Sequence, residues 1–278
     1  YMHIREGETS NRMMTTDRSV REVPFEITLN RFTLSRYQGS QSPSSYESDI
    51  TIRYKGKERN RKIYMNNIAR PLVLLGAMQA AGVKRFVFSS TCATYGVPTQ
   101  IPIPETEKQD PINPYGSSKY MLEKVCKDAT KSVFLRYFNA SGCSEDGLIG
   151  EDHDPETHLI PNILLTLTGE KEYIEVFGTD YDTPDGTCIR DYIHVNDLAD
   201  AHLRAVDYLM KGGSTECFNL GTGLGLSVRE ILETAEKVTG RKIPVRYAPR
   251  REGDPPRLIA NPKKAREILG WEARCKDA

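Results

Sequence analysis

KRFVFSS at 84–90, PYGSSKYMLEKVCKDAT at 114–130 and SVFLRYF at 132–138 decide the fold. The first and last are short apolar runs rich in aromatic and β-branched residues, the composition of buried strands. The middle segment predicts a helix over about 115–130, entered from a proline-rich loop at 98–114. Strand, helix, strand calls for a parallel sheet, because two parallel neighbours need a crossover between them. Open sheets of this kind bind ligands beyond the carboxyl ends of their strands. Chemistry is therefore expected just after residues 90, 138, 177 and 220.

Working outward, residues 64–81 read as a helix ending at Gly82, 172–177 as a strand, 196–210 as a helix and 216–220 as a strand. A further helix opens on the capping box Ser227 to Glu230, followed by a strand at 243–247. A short helix then takes Asn261 as N-cap and Pro262 at its first position. The class is α/β, with no internal repeat. Residues 1–62 differ: they contain no alanine, a Ser/Gln-rich stretch at 39–45, a short alternation at Phe25, Ile27 and Leu29, and a basic run from Arg53 to Lys62. No motif in that stretch carries chemistry. Pro71 interrupts the 64–81 helix or forces it to begin there.

The 278 residues balance 38 Lys plus Arg against 38 Asp plus Glu, so no net field draws the chain to phosphate backbones or anionic lipid. Neither nucleic acid nor membrane is an expected partner. The longest apolar run, Leu72 to Met78, is far shorter than the roughly 20 residues that cross a bilayer, and the first residues lack a signal-peptide core. The six cysteines are scattered singly, without a C-x-x-C pair. A soluble, cytoplasmic chain with reduced thiols is the expectation.

Tyr115 and Lys119 stand four apart in the helix after the first strand, so their side chains share one face. A lysine ammonium there favours tyrosinate and suits the phenol to act as a general base. Among 14 tyrosines about one Y-x-x-x-K arises by chance, and Tyr120 with Lys124 makes a second copy. Context separates them: Tyr115 follows Pro114 in the first helical turn, whereas Tyr120 points about 140° away. Ser89, Ser90 and Thr91 place hydroxyls at the carboxyl end of the preceding strand, where they serve either a substrate oxygen or the turn's own amides.

FVFSSTCATYG (86–96), NPYGSSK (113–119), LRYFNASG (135–142), FGTDYDTPDGTCIRDYIHVNDLADAH (177–202), FNLGTGLGLSV (218–228) and APRREGDPP (248–256) together resemble the UDP-glucose 4-epimerase family of extended short-chain dehydrogenase/reductases. The resemblance runs from about Tyr64 to Trp271. It implies a Rossmann-like parallel sheet with helices on both faces plus a smaller substrate-binding α/β subdomain. It also implies a tightly held NAD that takes hydride from C4 of a UDP-hexose and returns it to the other face. By the same resemblance Tyr115 is the base, Lys119 its activator and a ligand of the nicotinamide ribose, and Thr91 the hydroxyl partner. Asn66, Ser90 and Phe138 match cofactor-contacting positions, and Asn139, His158 and Leu159 substrate-contacting ones. Phe177 would stack on uracil, Arg190 and Arg251 bind the diphosphate, Asp254 accept from the uridine ribose, and Leu258 gate the hexose. A homodimer is expected.

The family opens with a strand and a Gly-x-x-Gly-x-x-Gly turn against the pyrophosphate. Residues 1–62 hold only the isolated Gly7, Gly39 and Gly56, and GTGLG at 221–225 lies too late in the chain and lacks the spacing. The expected division is 1–62 unassigned, 63–140 the remaining part of the NAD-binding domain, and 141–278 substrate-binding, with 182–200 packing back on the first part. Two other functions stay open. One is a degenerate nucleotide-sugar binder without a competent NAD site. The other is a 4,6-dehydratase, whose family places Asp-Glu where Cys92 and Ala93 stand.

Overall fold

The computed structural model describes residues 7–14, 20–36, 43–54, 56–64, 69–144, 146–153, 156–251 and 254–276. The chain divides into two compact units, residues 1–67 and 68–278.

The first unit is an antiparallel meander of β1 (Thr9–Met14), β2 (Val20–Arg36), β3 (Pro43–Tyr54) and β4 (Lys57–Tyr64). The Phe25, Ile27, Leu29 alternation lies in β2, whose register pairs Ile27 with Ile52 and Leu29 with Ile50. The buried Thr51 hydroxyl accepts from Asn30 Nδ2 and donates to Asn60 Oδ1, both at 2.7 Å. Gly56, at φ 73°, turns the chain between β3 and β4, and Arg53 closes an exposed ion pair with Glu58 at 3.0 Å. Among the described residues of this unit there is no helix and no parallel strand pair.

The second unit begins with α1 (Ala69–Ala80), five residues later than its sequence pattern predicts. That start leaves Pro71 in the first turn, where its missing N–H is not needed. Then come β5 (Arg85–Thr91), α2 (Pro114–Ala129), β6 (Lys131–Tyr137), β7 (Asn139–Ser141), α3 (Leu159–Thr168), β8 (Ile174–Phe177), β9 (Ile189–Arg190) and β10 (Tyr192–His194). The unit continues with α4 (Val195–Met210), β11 (Glu216–Leu220), β12 (Leu226–Ser227), α5 (Val228–Thr239), β13 (Val245–Ala248) and β14 (Arg257–Leu258). One π-helical turn, Ala265–Leu269, follows; Asn261 Oδ1 accepts from the Lys263 amide just before it.

The central sheet is parallel, in the order β11-β6-β5. Period-two alternation sends its side chains both ways. Val133, Leu135, Phe218 and Leu220 pack under Leu198, Ala201, Ala205 and Leu209 of α4 and under Trp271. Phe134 meets Leu75 and Met78 of α1 and Cys126 of α2 on the opposite face. The fold is thus Rossmann-like α/β, helices on both faces, but the sheet takes its third strand from 216–220, so it does not divide at residue 140. β10 pairs in parallel with β7 beside it. A smaller layer forms from β8 and β13 under α3 and α5, around Ile163, Ile174, Val176, Ile231, Leu232 and Ile243.

Candidate active site

The carboxyl ends of β5 and β6 and the first turn of α2 converge on one point. Asn113 caps α2, its Oδ1 accepting from the Gly116 amide at 2.7 Å, and Pro114 fixes the first helical position. Gly116 allows this helix end to close on the strand: a Cβ there would lie 2.3 Å from the Ala93 carbonyl oxygen. The approach brings Tyr115 and Thr91, the last residue of β5, onto the wall of one cleft. One turn on, Lys119 Nζ donates to the Ser89 carbonyl at 3.0 Å, 5.6 Å from the centre of the Tyr115 ring. Burial pushes the Tyr115 phenol above its ordinary pKa, opposed by the Thr91 hydroxyl, and burial pulls the Lys119 ammonium down. Tyr120 faces elsewhere, its ring 4.4 Å from Lys124 Nζ.

Thr91 and Tyr115 border a cleft of about 810 Å³ that also takes in Phe138, Asn139, His158, Asp254 and Leu258. Phe138 and Leu258 pack on Cys92, Tyr95 and Ile103 behind it. The Cys92 thiol is pushed up to about 12, chiefly by burial, and stays protonated at neutral pH. Asn139 donates its amide to the Asp191 carbonyl at 2.9 Å. Phe177, Arg190 and Arg251 stand beside the cleft rather than in its lining. Arg251 Cζ lies 3.9 Å over the Phe177 ring, Arg190 Nη2 lies 3.5 Å from Asp254 Oδ1, and the Asp254 amide donates to the Arg251 carbonyl at 3.3 Å, so Asp254 links the two groups.

Three sequence assignments stand apart. Ser90 is 1% exposed and its hydroxyl donates a hydrogen bond to Glu123 Oε1 at 2.5 Å, so that hydroxyl serves the core and not the cleft. Leu159 packs among the side chains under α3. Asn66 lies outside the described residues.

Other contributors carried no assignment from sequence. Asp191 is wholly buried; its Oδ1 accepts from the Thr222 amide and hydroxyl, and its Oδ2 from the Gly223 and Ala260 amides, all between 2.8 and 3.0 Å. This carboxylate ties β9 to the GTGLG loop and to Ala260, two residues past β14, fixing Arg190 and Leu258 on either side. Glu123, two turns beyond Tyr115, pairs with the buried Arg136 of β6, whose Nη1 donates to Tyr95 Oη at 2.9 Å. Asp191 follows Arg190 directly in GTCIRDYIH, and Glu123 continues the Tyr115, Lys119 spacing by four. Those were the signals available.

Among the described residues no helix is long and apolar enough to cross a membrane. A profile of the ResB-like family matches residues 1–77. The UDP-glucose 4-epimerase of Rhizobium meliloti (strain 1021) is 56% identical over 214 residues, 75% of this chain and 65% of its own length. The chain therefore spans about two thirds of that relative. Among solved structures, UDP-glucose 4-epimerase from Brucella ovis in complex with NAD superposes with a TM-score of 0.74 at 50% identity, over 76% of this chain and 67% of that one. The Bifidobacterium longum enzyme in complex with NAD+ and UDP gives 0.70 at 41% identity, over 73% and 63%. The profile of the NAD dependent epimerase/dehydratase family covers residues 54–221, from the last strands of the antiparallel unit through β11 and every residue of the Thr91, Tyr115, Lys119 constellation, and it is to this family that the chain belongs.

Proposed function

We propose that this chain carries the catalytic part of an NAD-dependent epimerase acting at C4 of a UDP-hexose, UDP-glucose and UDP-galactose being the pair it interconverts. The observation that carries the proposal is the pair of hydroxyl-bearing residues, Thr91 and Tyr115, facing one cleft with the Lys119 ammonium behind them. The residues present fit the nicotinamide end of NAD: Tyr115 is 36% exposed toward the cleft, with Lys119 and Phe138 beside it. When bound there, NAD supplies the hydride acceptor and donor at C4.

The chain's own groups move the proton. Tyr115 takes it from the 4-hydroxyl, Thr91 holds the same oxygen, and Lys119 favours the tyrosinate that must form. Tyr115 gives the proton back once the keto sugar presents its other face, so the reaction has no net redox change. Arg190 and Arg251 hold the diphosphate, for which two planar guanidinium forks suit better than ammonium groups. Phe177 stacks on the uracil, Asp254 accepts from the ribose, Asn139 and His158 flank the sugar, and Leu258 limits its bulk. A cytoplasmic homodimer is the proposed working form; all six cysteines are free thiols.

The test is turnover with saturating NAD. Tyr115→Phe is expected to lower it by about 10²–10⁴-fold while UDP affinity stays nearly unchanged, and Tyr120→Phe to be close to silent. Equal losses from both would sink the assignment of the base. The antiparallel architecture of residues 9–64 favours a second reading, a nucleotide-sugar binder that retains Arg190, Arg251 and Phe177 without holding NAD.

A further inference from the structure

At the rim of the cleft, four potential metal ligands that the proposed chemistry leaves largely unused come together: Glu151, His153, Glu156 and His158. Their ligand atoms all lie within 4.8 Å of one another. Both imidazoles turn the same nitrogen toward the shared carboxylates. His158 Nδ1 is 2.7 Å from Glu151 Oε1 and 2.9 Å from Glu156 Oε1, and His153 Nδ1 is 3.1 Å from Glu151 Oε1 and 3.9 Å from Glu156 Oε2. The two rings stand 5.1 Å apart, centre to centre.

We propose that Glu151, His153, Glu156 and His158 form a binding site for a divalent transition metal, with Zn²⁺ the fitting ion. Bonds of about 2.0–2.2 Å to nitrogen and carboxylate oxygen put the edges of a tetrahedron near 3.4 Å. Both imidazole nitrogens lie slightly inside that value from Glu151 Oε1, at 2.7 and 3.1 Å, and all four ligand atoms lie within 4.8 Å, so closing the shell needs adjustments within a side chain's reach. Two imidazoles select against Mg²⁺ and Ca²⁺, which take oxygen ligands, and two carboxylates neutralise a divalent charge. Glu156 Oε1 also accepts from the Thr157 and His158 amides, at 2.6 and 2.7 Å, which orients that carboxylate as outer hydrogen bonds do in metal sites. The site is structural in kind. The ion would tie residues 151–153 to 156–158 and so fix the wall from which His158 faces the substrate, and no proton or hydride passes through it.

The alternative is a metal-free ring of histidine–carboxylate hydrogen bonds, and direct titration decides between them. The full chain, stripped with a chelator, is titrated with ZnCl₂ against a chromogenic competitor. About one Zn²⁺ per chain is expected, bound about 100-fold more weakly in His153→Ala and in Glu151→Gln and unchanged in Cys143→Ser. Co²⁺ added to the unaltered chain should give the visible bands of a four-coordinate site without a thiolate charge-transfer band, a readout independent of whether the variants fold. No uptake, uptake that survives both ligand substitutions, or a thiolate band lost with Cys143 would each overturn the proposal.

Discussion

Tyr115 and Lys119 start from the wrong side of the ionisation that base catalysis requires. The reactive pair is tyrosinate with ammonium, yet burial raises the phenol and lowers the amine, so that pair is a minority of the free chain. With NAD present, the rate is expected to rise with pH by about one decade per unit as the phenol ionises, then fall when the ammonium is lost. The rising limb belongs to Tyr115 and should vanish in Tyr115→Phe; a flat profile between pH about 7 and 9 would refute the assignment. Farther along the cleft, Arg190→Ala and Arg251→Ala are each expected to weaken UDP binding by about 1.5–3 kcal/mol, measured by calorimetry with UDP alone. Unchanged affinity in both would remove the nucleotide-sugar reading.

At the scale of the element, α2 sets the site because it is held at both ends of its inner face. Gly116 lets its first turn press on Ala93, and two turns later Glu123 pairs with Arg136 in the core, their side chains 1% and 2% exposed. Removing one partner leaves an uncompensated buried charge, so Arg136→Met is expected to cost about 3–5 kcal/mol in denaturant unfolding. The double change Glu123→Leu, Arg136→Met should recover most of that loss; an additive result would mean the pair is not coupled. Most elements of this unit were legible in sequence, because buried parallel strands are continuous apolar runs and the capping box at Ser227 is explicit. Helix α3 was not: Pro161 reads as a breaker, whereas in the first turn it is harmless. The inward turn of the Ser90 hydroxyl was not legible, because a sequence shows a hydroxyl at a strand end without showing which face it takes, and the Glu123 that accepts from it is 33 residues away.

At the scale of the whole molecule, the two units obey different rules. Among the described residues, β5 of the second unit pairs with β6 on one side only, and every strand pairing of the first unit is antiparallel. A dinucleotide pyrophosphate needs backbone amides at a helix N-terminus, and without them a doubly negative group is desolvated with no compensating donors. The chain is therefore expected to purify without stoichiometric NAD and to epimerise weakly, while still recognising UDP. Replacing residues 1–62 by the strand–Gly-x-x-Gly-x-x-Gly–helix segment of a longer relative should restore both cofactor and turnover. Absorbance of the denatured protein checks this, and one NAD per chain in the unmodified protein would refute it. The distinction between the units was visible in composition as the absence of alanine before residue 69, but the meander was not. Its strands alternate only locally, and their register depends on partners far apart in the chain, such as Ile27 and Ile52.

The guanidinium of Arg251 resting on Phe177 has a consequence for how a nucleotide gains entry. One face of the Phe177 ring is covered by the Arg251 guanidinium. On the proposed reading, in which Phe177 takes the base and Arg251 the diphosphate, binding on that face would be an exchange: a cation would leave the ring, a base take its seat, and the displaced charge swing onto the diphosphate. The resting protein would then compete with its own ligand. Truncating Arg251 removes the clasp and the competitor together, so its measured loss of affinity falls below that of Arg190 even when the two arginines hold the bound nucleotide equally well.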